Sequence, residues 1–103
     1  MTETVHRKRI EILVDLPLAS RVVATSAKAG IRGHTLLPTL SGAGEGGSWS
    51  DDQLSGAVAK VLFVAVTSDE KAQAMIDLVT PMLDAYGLVL IASDVQVVRG
   101  AKF

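Results

Sequence analysis

The sequence of 103 residues contains no cysteine and no asparagine, and aromatic residues make up only 4% of it. The lack of cysteine excludes disulfides and thiolate metal sites. The scarcity of aromatic rings argues against a surface that stacks nucleic-acid bases. Charge of neither sign predominates, since 10 basic and 11 acidic side chains leave a formal net charge of -1. We therefore expect no nucleic acid as a partner.

Long apolar runs are also missing. A membrane-spanning helix needs about 20 consecutive apolar residues, and the first ten residues, MTETVHRKRI, lack the apolar core of a signal peptide. We therefore expect a cytoplasmic protein without membrane insertion. Hydrophobic residues nevertheless form 49% of the chain, and the length suits one domain. The sequence thus predicts a single folded domain over residues 1–103.

Four strands can be predicted from the pattern of apolar residues. The segment RKRIEILVDL places Ile10, Ile12, Val14 and Leu16 on one face, as a half-buried strand does. The segments HTLLPTL, AKVLFVAVT and LVLIASDVQVV are further strands. Pro38 lies inside HTLLPTL and predicts an edge position, because proline cannot donate a hydrogen bond to a neighbouring strand.

Two helices are predicted between these strands. The first lies in PLASRVVATSAKAG, with Pro17 in its first turn and Gly30 at its end. The second lies in TSDEKAQAMIDLVTPMLDAYG and ends at Gly87. Thr67 and Glu70 have the spacing of a capping box at its start. Two successive strand–helix–strand units predict an α+β fold of the ferredoxin-like βαββαβ type.

The third predicted strand is apolar on both faces. Leu62, Val64 and Val66 alternate with Val61, Phe63 and Ala65. Such a pattern is typical of strands buried on both sides, whereas two helices can cover only one face of a four-stranded sheet. Each large aliphatic side chain left in water forgoes roughly 1.5–3 kcal/mol. We therefore predict a homo-oligomer in which the sheets of several copies cover one another.

Residues that could catalyse a reaction or bind a metal ion are few. His6 and His34 are the only histidines, and His34 has no carboxylate near it in sequence to orient it as a general base. Asp51 and Asp52 are adjacent, but two oxygen ligands make a weak metal site. The sequence therefore predicts neither an enzyme nor a metal site.

Residues 41–56, SGAGEGGSWSDDQLSG, combine closely spaced glycines with the single tryptophan, Trp49. Glycines let backbone N–H groups approach a phosphate or a similar anion, but the segment lacks the lysine and the following helix of a P-loop. A flexible linker is an equally good interpretation. Trp49 either packs on a neighbouring hydrophobic patch or anchors the loop to a ligand or partner when the loop becomes ordered.

The segment AGIRGHTLLPTLSGAGEGG resembles the end of the first helix, the second strand and the base of the T-loop in PII signalling proteins. The similarity extends to RIEILVD, KVLFVAV and a last strand that ends at Arg99. This resemblance implies a PII-like homotrimer that binds adenine nucleotides in clefts between its subunits. It also implies a flexible T-loop, here at about residues 42–56, which changes conformation to control an unidentified protein target.

The departures from the PII pattern also carry implications. Residues 41–56 contain no tyrosine, so uridylylation is not expected. The segment DAYGLVLIASD has no glycine- and lysine-rich B-loop, which makes ADP or AMP a better ligand than ATP. The short loop with its tryptophan most resembles the carboxysome-associated PII-like branch. That resemblance implies bicarbonate as a second ligand and a partner in inorganic-carbon metabolism.

The resemblance implies a set of nucleotide- and anion-binding residues. Thr35 matches the threonine that lines the nucleotide cleft, and Arg99 is expected to neutralise phosphate across the subunit interface. Bicarbonate requires N–H donors and a cation, and Arg9, Arg32 and Arg99 are alternatives for the cation. The implied residues are His34, Thr35, Ser41, Gly42, Ala43, Gly44, Gly87, Leu88, Arg99 and Lys102.

A CutA-like divalent-cation-tolerance trimer is the alternative interpretation. It has the same fold, so the apolar pattern of the sheet does not distinguish it from a PII-like protein. The absence of cysteine and of clustered histidines counts against it. Thermal stabilisation by copper or zinc, without stabilisation by nucleotide, would favour it.

Overall fold

A computed structural model describes residues 3–44, 47–50 and 59–99. The strands are β1 (Thr4–Asp15), β2 (Thr35–Pro38), β3 (Ser41–Gly44), β4 (Gly47–Ser50), β5 (Lys60–Thr67) and β6 (Leu90–Val98). The helices are α1 (Ala19–Lys28) and α2 (Asp69–Tyr86), and a short 3-10 helix (Leu16–Leu18) joins β1 to α1. Among the described residues, neither helix is long and apolar enough to cross a membrane.

Four strands form one sheet in the order β2-β5-β1-β6, and β3 pairs with β4 in a separate hairpin. The three pairings within the large sheet are antiparallel. Apart from the hairpin, the order along the chain is β1-α1-β2-β5-α2-β6, which confirms the predicted ferredoxin-like βαββαβ fold. β2 is an edge strand that ends at Pro38, so the edge position predicted from this proline is also confirmed.

The hydrophobic core lies between the two helices and one face of the sheet. Ile10, Ile12 and Val14 are fully buried on this face, as their alternation predicts. Phe63 lies opposite Ile12 in β5 and is also fully buried. Leu16, predicted on the same face, is 48% exposed, because the strand ends at Asp15 and the 3-10 helix turns Leu16 away. The helices contribute Ala19, Val22, Ala72, Met75 and Val79 to the core.

The opposite face of the sheet, which we call the open face, is covered by neither helix. Leu13 and Leu62 are paired across β1 and β5 on this face and are half-buried. Leu37 is 43% exposed and Ile91 is 56% exposed. The structure therefore confirms that β5 is apolar on both faces and that the chain's own helices cover one face of the sheet. The predicted homo-oligomer remains a prediction.

Helix α2 begins one residue later than the sequence predicts. Ser68 is the N-cap, and its hydroxyl accepts a hydrogen bond from the backbone N–H of Lys71 at 3.3 Å. Thr67 is instead the last residue of β5, where it pairs with Lys8 and is buried. The predicted capping box of Thr67 and Glu70 was therefore wrong, because the strand ladder continues through Thr67.

A salt bridge links β1 to β6 on the helix-covered face of the sheet. Lys8 and Asp94 lie opposite each other, and the ammonium of Lys8 donates to the carboxylate of Asp94. This hydrogen bond lowers the pKa of Asp94 and raises the pKa of Lys8. Any stabilisation from the lowered pKa of Asp94 is present at neutral pH and is lost as the pH falls through that pKa. Because both side chains are in contact with solvent, we expect the salt bridge to contribute little to the free energy of unfolding.

We expect Ser68→Ala to lower the free energy of unfolding by about 1 kcal/mol, because the N–H of Lys71 loses its acceptor. Glu70→Gln, the matched change at the other end of the predicted capping box, should cost less than about 0.5 kcal/mol. Urea denaturation of both variants measures the difference. A larger loss for Glu70→Gln than for Ser68→Ala would contradict this assignment of the N-cap.

Candidate functional site

A pocket of about 260 Å³ lies beside β5 where β2 begins. Gly33, His34 and Thr35 form one side of it, and residues 64–66 of β5 form the other. β2 pairs with β5 from Thr35 to Pro38, so this edge of β5 is open beyond Val64. Backbone N–H and C=O groups on an open strand edge are available to a ligand. The pocket thus contains two of the predicted residues, His34 and Thr35.

The side of the pocket formed by residues 33–35 is held in place by the core. The ring of His34 stacks on the ring of Phe63, with 5.7 Å between centroids and 14° between planes. Phe63 is fully buried, and the exposed His34 rests its imidazole against it. A Cβ added at Gly33 would meet no atom within 4 Å. The lining is mostly apolar with a few polar groups, as is typical of small-molecule sites.

The predicted anion-binding residues 41–44 form β3, which pairs with β4 in the hairpin. The predicted T-loop segment therefore contains a β-hairpin at residues 41–44 and 47–50, and its flexibility remains a prediction. Residues 45–46 and 51–58, which include Asp51 and Asp52, lie outside the described residues. Gly42 pairs with Trp49 across the hairpin. Within the described residues, no group of three or more His, Cys, Asp or Glu side chains could hold a metal ion.

Trp49 packs within its own chain. A Cβ added at Gly42 would stand 2.2 Å from the indole, so only glycine leaves room for the ring at this position. The indole N–H donates to the hydroxyl of Thr39 at 2.9 Å, and this hydroxyl donates to the backbone carbonyl of Lys60 at 2.7 Å. The ring thus packs within the chain, as in the first of the two interpretations, but against Gly42 and polar groups and not on a hydrophobic patch. An anchoring role toward a ligand or partner remains a prediction. Trp49 anchors the hairpin to the end of the sheet.

Lys60 brings a cation to the hairpin, and the sequence analysis missed it. Its Nζ lies 5.3 Å from the centroid of the Trp49 ring and 2.5 Å from Oδ1 of Asp15. The side chain of Lys60 is 28% exposed. The only signal in the sequence was its position at the start of the strand that follows the glycine-rich segment. Its contact with Asp15 depends on the pairing of β1 with β5.

Gly87 and Leu88 lie at the end of α2, away from the pocket. Gly87 has a φ of 65° and ends the helix, as predicted. The backbone N–H groups of Gly87 and Leu88 both donate to the carbonyl of Leu83. Leu88 packs against the core. Three residues, 87–89, join α2 to β6, which confirms the absence of an insert there. Since β2 and β6 are opposite edges of the sheet, about 14 Å separates these strands.

Arg99 lies at the far end of β6. Thr35, Val64, Glu11 and Ile91 are aligned across the four strands, and Arg99 is eight residues beyond Ile91, about 26 Å along the strand direction. One protomer therefore does not bring Arg99 to the pocket. Its φ of 66° is in the left-handed region, which is uncommon for a residue with a side chain. Lys102 lies outside the described residues.

The three arginines considered for bicarbonate have different surroundings. Arg9 lies on the open face, and its Nε is 2.9 Å from Oε1 of Glu11. Arg32 is exposed and directly precedes the pocket residue Gly33. Arg99 is exposed at the end of β6. Arg32 is thus the one of the three that one protomer places next to the pocket.

Residues 7–102 match the family model of the nitrogen regulatory protein P-II. CPII, a nitrogen regulatory PII-like protein from Thiomonas intermedia K12 bound to ADP, AMP and bicarbonate, has a TM-score of 0.90 and 23% identity, over 100% of this chain and 98% of CPII. CPII bound to ADP, AMP and acetate has a TM-score of 0.81 and 25% identity, over 98% and 97% of the two chains. The GlnK–ATP complex of B. subtilis has a TM-score of 0.63 and 12% identity, over 87% of this chain and 82% of GlnK. No curated protein matches the chain.

We expect His34→Ala to lower the free energy of unfolding by about 0.5–1 kcal/mol, because Phe63 loses its stacking partner. His6→Ala removes an exposed histidine from β1 and should have little effect. Chemical denaturation of the two variants at one pH measures the difference. Equal stability of both variants and the unchanged protein would contradict the role given to the stacked pair.

Proposed function

The chain belongs to the nitrogen regulatory protein P-II family, and from this membership we propose that it is a regulatory protein rather than an enzyme. In this proposal, ADP or AMP binds in a cleft between subunits of a cytoplasmic homotrimer. Bicarbonate is a second ligand, and the hairpin segment acts on a protein target in inorganic-carbon metabolism. The pocket beside β5 is the observation that carries the proposal.

The pocket suits the adenine base. Val64 and Val66 of β5 offer an apolar surface to a flat ring, while the open edge of β5 and the hydroxyl of Thr35 offer hydrogen bonds to its polar edge. Clefts for drug-sized ligands enclose about 300–1,000 Å³, so about 260 Å³ accommodates the base and leaves the ribose and phosphates outside. CPII, bound to ADP and AMP, supports this choice of ligand.

Positive charge for the phosphates is scarce near the pocket, which favours a nucleotide with few of them. Lys60, at the base of the hairpin, lies four residues before Val64 in β5, about 13 Å from the pocket of its own protomer. The three-residue connection 87–89 leaves no insert that could hold a terminal phosphate. Each additional phosphate needs further positive charge, so ADP and AMP are better ligands than ATP in this proposal.

The open face and the distribution of the candidate residues support the homotrimer. Leu13, Leu37 and Leu62 lie on the open face, where other copies of the chain would cover them. Arg99 is far from the pocket of its own protomer, so a nucleotide could contact it only where two copies meet. The bicarbonate in the CPII complex supports a second anion site, for which Arg32 and Arg99 are the candidates.

Calorimetry with ADP, AMP and ATP, each with and without bicarbonate, tests the nucleotide proposal. We expect ADP and AMP to bind with dissociation constants below about 1 mM, and ATP to bind more weakly, because fewer positive charges are available to its phosphates. Thr35→Val should weaken ADP binding by about tenfold through the loss of one hydrogen bond. The control is Thr80→Val on the exposed surface of α2, which should bind ADP like the unchanged protein.

Two results would contradict the nucleotide proposal. One is binding of no nucleotide below millimolar concentration. The other is thermal stabilisation by copper or zinc but not by nucleotide, which would support the CutA-like alternative.

Sedimentation at micromolar concentration tests the homotrimer. We expect the mass of three protomers for the unchanged protein and a smaller mass for Leu62→Glu, which places a charge on the open face. The matched control is Leu78→Glu on α2, where the side chain is 48% exposed, and this variant should keep the mass of three protomers. A folded single protomer of the unchanged chain would contradict the trimer.

A further inference from the structure

The hairpin face at Gly42 is already occupied by a side chain of the same protein. Three carbons of the Trp49 six-membered ring lie within 2.9 Å of the position that a Cβ of Gly42 would take. The indole therefore lies against the α-carbon of Gly42 on the side where a side chain would project. An anion that approaches β3 from this side meets the indole first.

The cation at the hairpin base is engaged as well. The ammonium of Lys60 bonds to Asp15 and lies over the Trp49 ring, an arrangement that is attractive between a cation and an indole. The indole N–H is bound to Thr39, the residue that follows β2. The same ring thus contacts Gly42, Thr39 and Lys60 at once.

We propose that Trp49 is a tethered competitor that holds the hairpin base closed and that an anionic ligand must displace. In the closed arrangement the indole covers the face of β3 at Gly42, and the ammonium of Lys60 is engaged by Asp15 and the indole. These are the two features that a phosphate at the hairpin base would use. A ligand that binds these groups better than the indole does shifts the hairpin to a second arrangement. This inference rests on the proposed function, since the competing anion is the phosphate of a nucleotide held between two copies. Within one protomer the hairpin base at Lys60 is about 13 Å along β5 from the pocket.

The closed arrangement can be measured without ligand, since Trp49 is the only tryptophan. Acrylamide quenching of its fluorescence should increase severalfold in Gly42→Ala, because the added Cβ expels the ring, and should also increase in Thr39→Val, which removes the hydroxyl that binds the indole N–H. Gly44→Ala is the matched control in the same strand, because a Cβ there meets no atom within 4 Å. Equal quenching in all four proteins would overturn the closed arrangement.

The competition is measured by calorimetry with ADP and with adenosine, which has the same base but no phosphate. Trp49→Ala should bind ADP about tenfold more tightly than the unchanged protein, a difference of about 1.4 kcal/mol, and should bind adenosine equally well. Leu40→Ala, at a 74% exposed position next to Thr39, should leave both affinities unchanged. In the unchanged protein, ADP but not adenosine should shift the emission of Trp49 to longer wavelength.

The outcomes separate this inference from the proposed function. If adenosine and ADP bind but Trp49→Ala binds ADP equally or more weakly, the competition is wrong while nucleotide binding stands. An unchanged Trp49 spectrum at saturating ADP would lead to the same conclusion. If neither compound binds the unchanged protein or Trp49→Ala, nucleotide binding itself is wrong, and the competition is wrong with it.

Discussion

The packing of two helices against one face of a four-stranded sheet determines most of what this protein can do. Ile12 and Phe63 are fully buried beneath the helices, whereas their neighbours Leu13 and Leu62 point to the open face. The part of the chain that the structure describes has no third helix to cover that face. The apolar surface that remains is the physical reason why a folded protomer would associate with its own copies.

The strand order separates the candidate binding residues. His34 and Thr35 lie at the β2 edge, Gly87 and Leu88 precede β6 at the other edge, and Arg99 is at the far end of β6. A site that uses the first and last of these groups must be formed by more than one copy. Association and ligand binding would then be thermodynamically linked, because a ligand held between copies stabilises their interface.

The hairpin shows how a few tertiary contacts give structure to a segment of unfavourable composition. Glycines lose much conformational freedom on folding, and a linker is a reasonable expectation for residues 41–44. Here a glycine provides the space that the Trp49 indole fills, and Thr39 and Lys60 also contact the ring. In the proposed regulation, the same contacts compete with a phosphate for the hairpin base.

Local sequence patterns were enough to predict the buried and open faces of β1 and β5, the edge position of β2 and the end of α2 at Gly87. These features follow from local rules: side chains alternate along a strand, proline lacks a donor, and glycine accepts a left-handed conformation. The cap of α2 at Ser68, the position of Trp49 on Gly42 and the bond from Lys60 to Asp15 became clear only in the folded protein. Each depends on where strands end and which strands pair. The pairing of β1 with β5, which continues through Thr67 and places Lys60 beside Asp15, joins residues distant in sequence that no local pattern encodes.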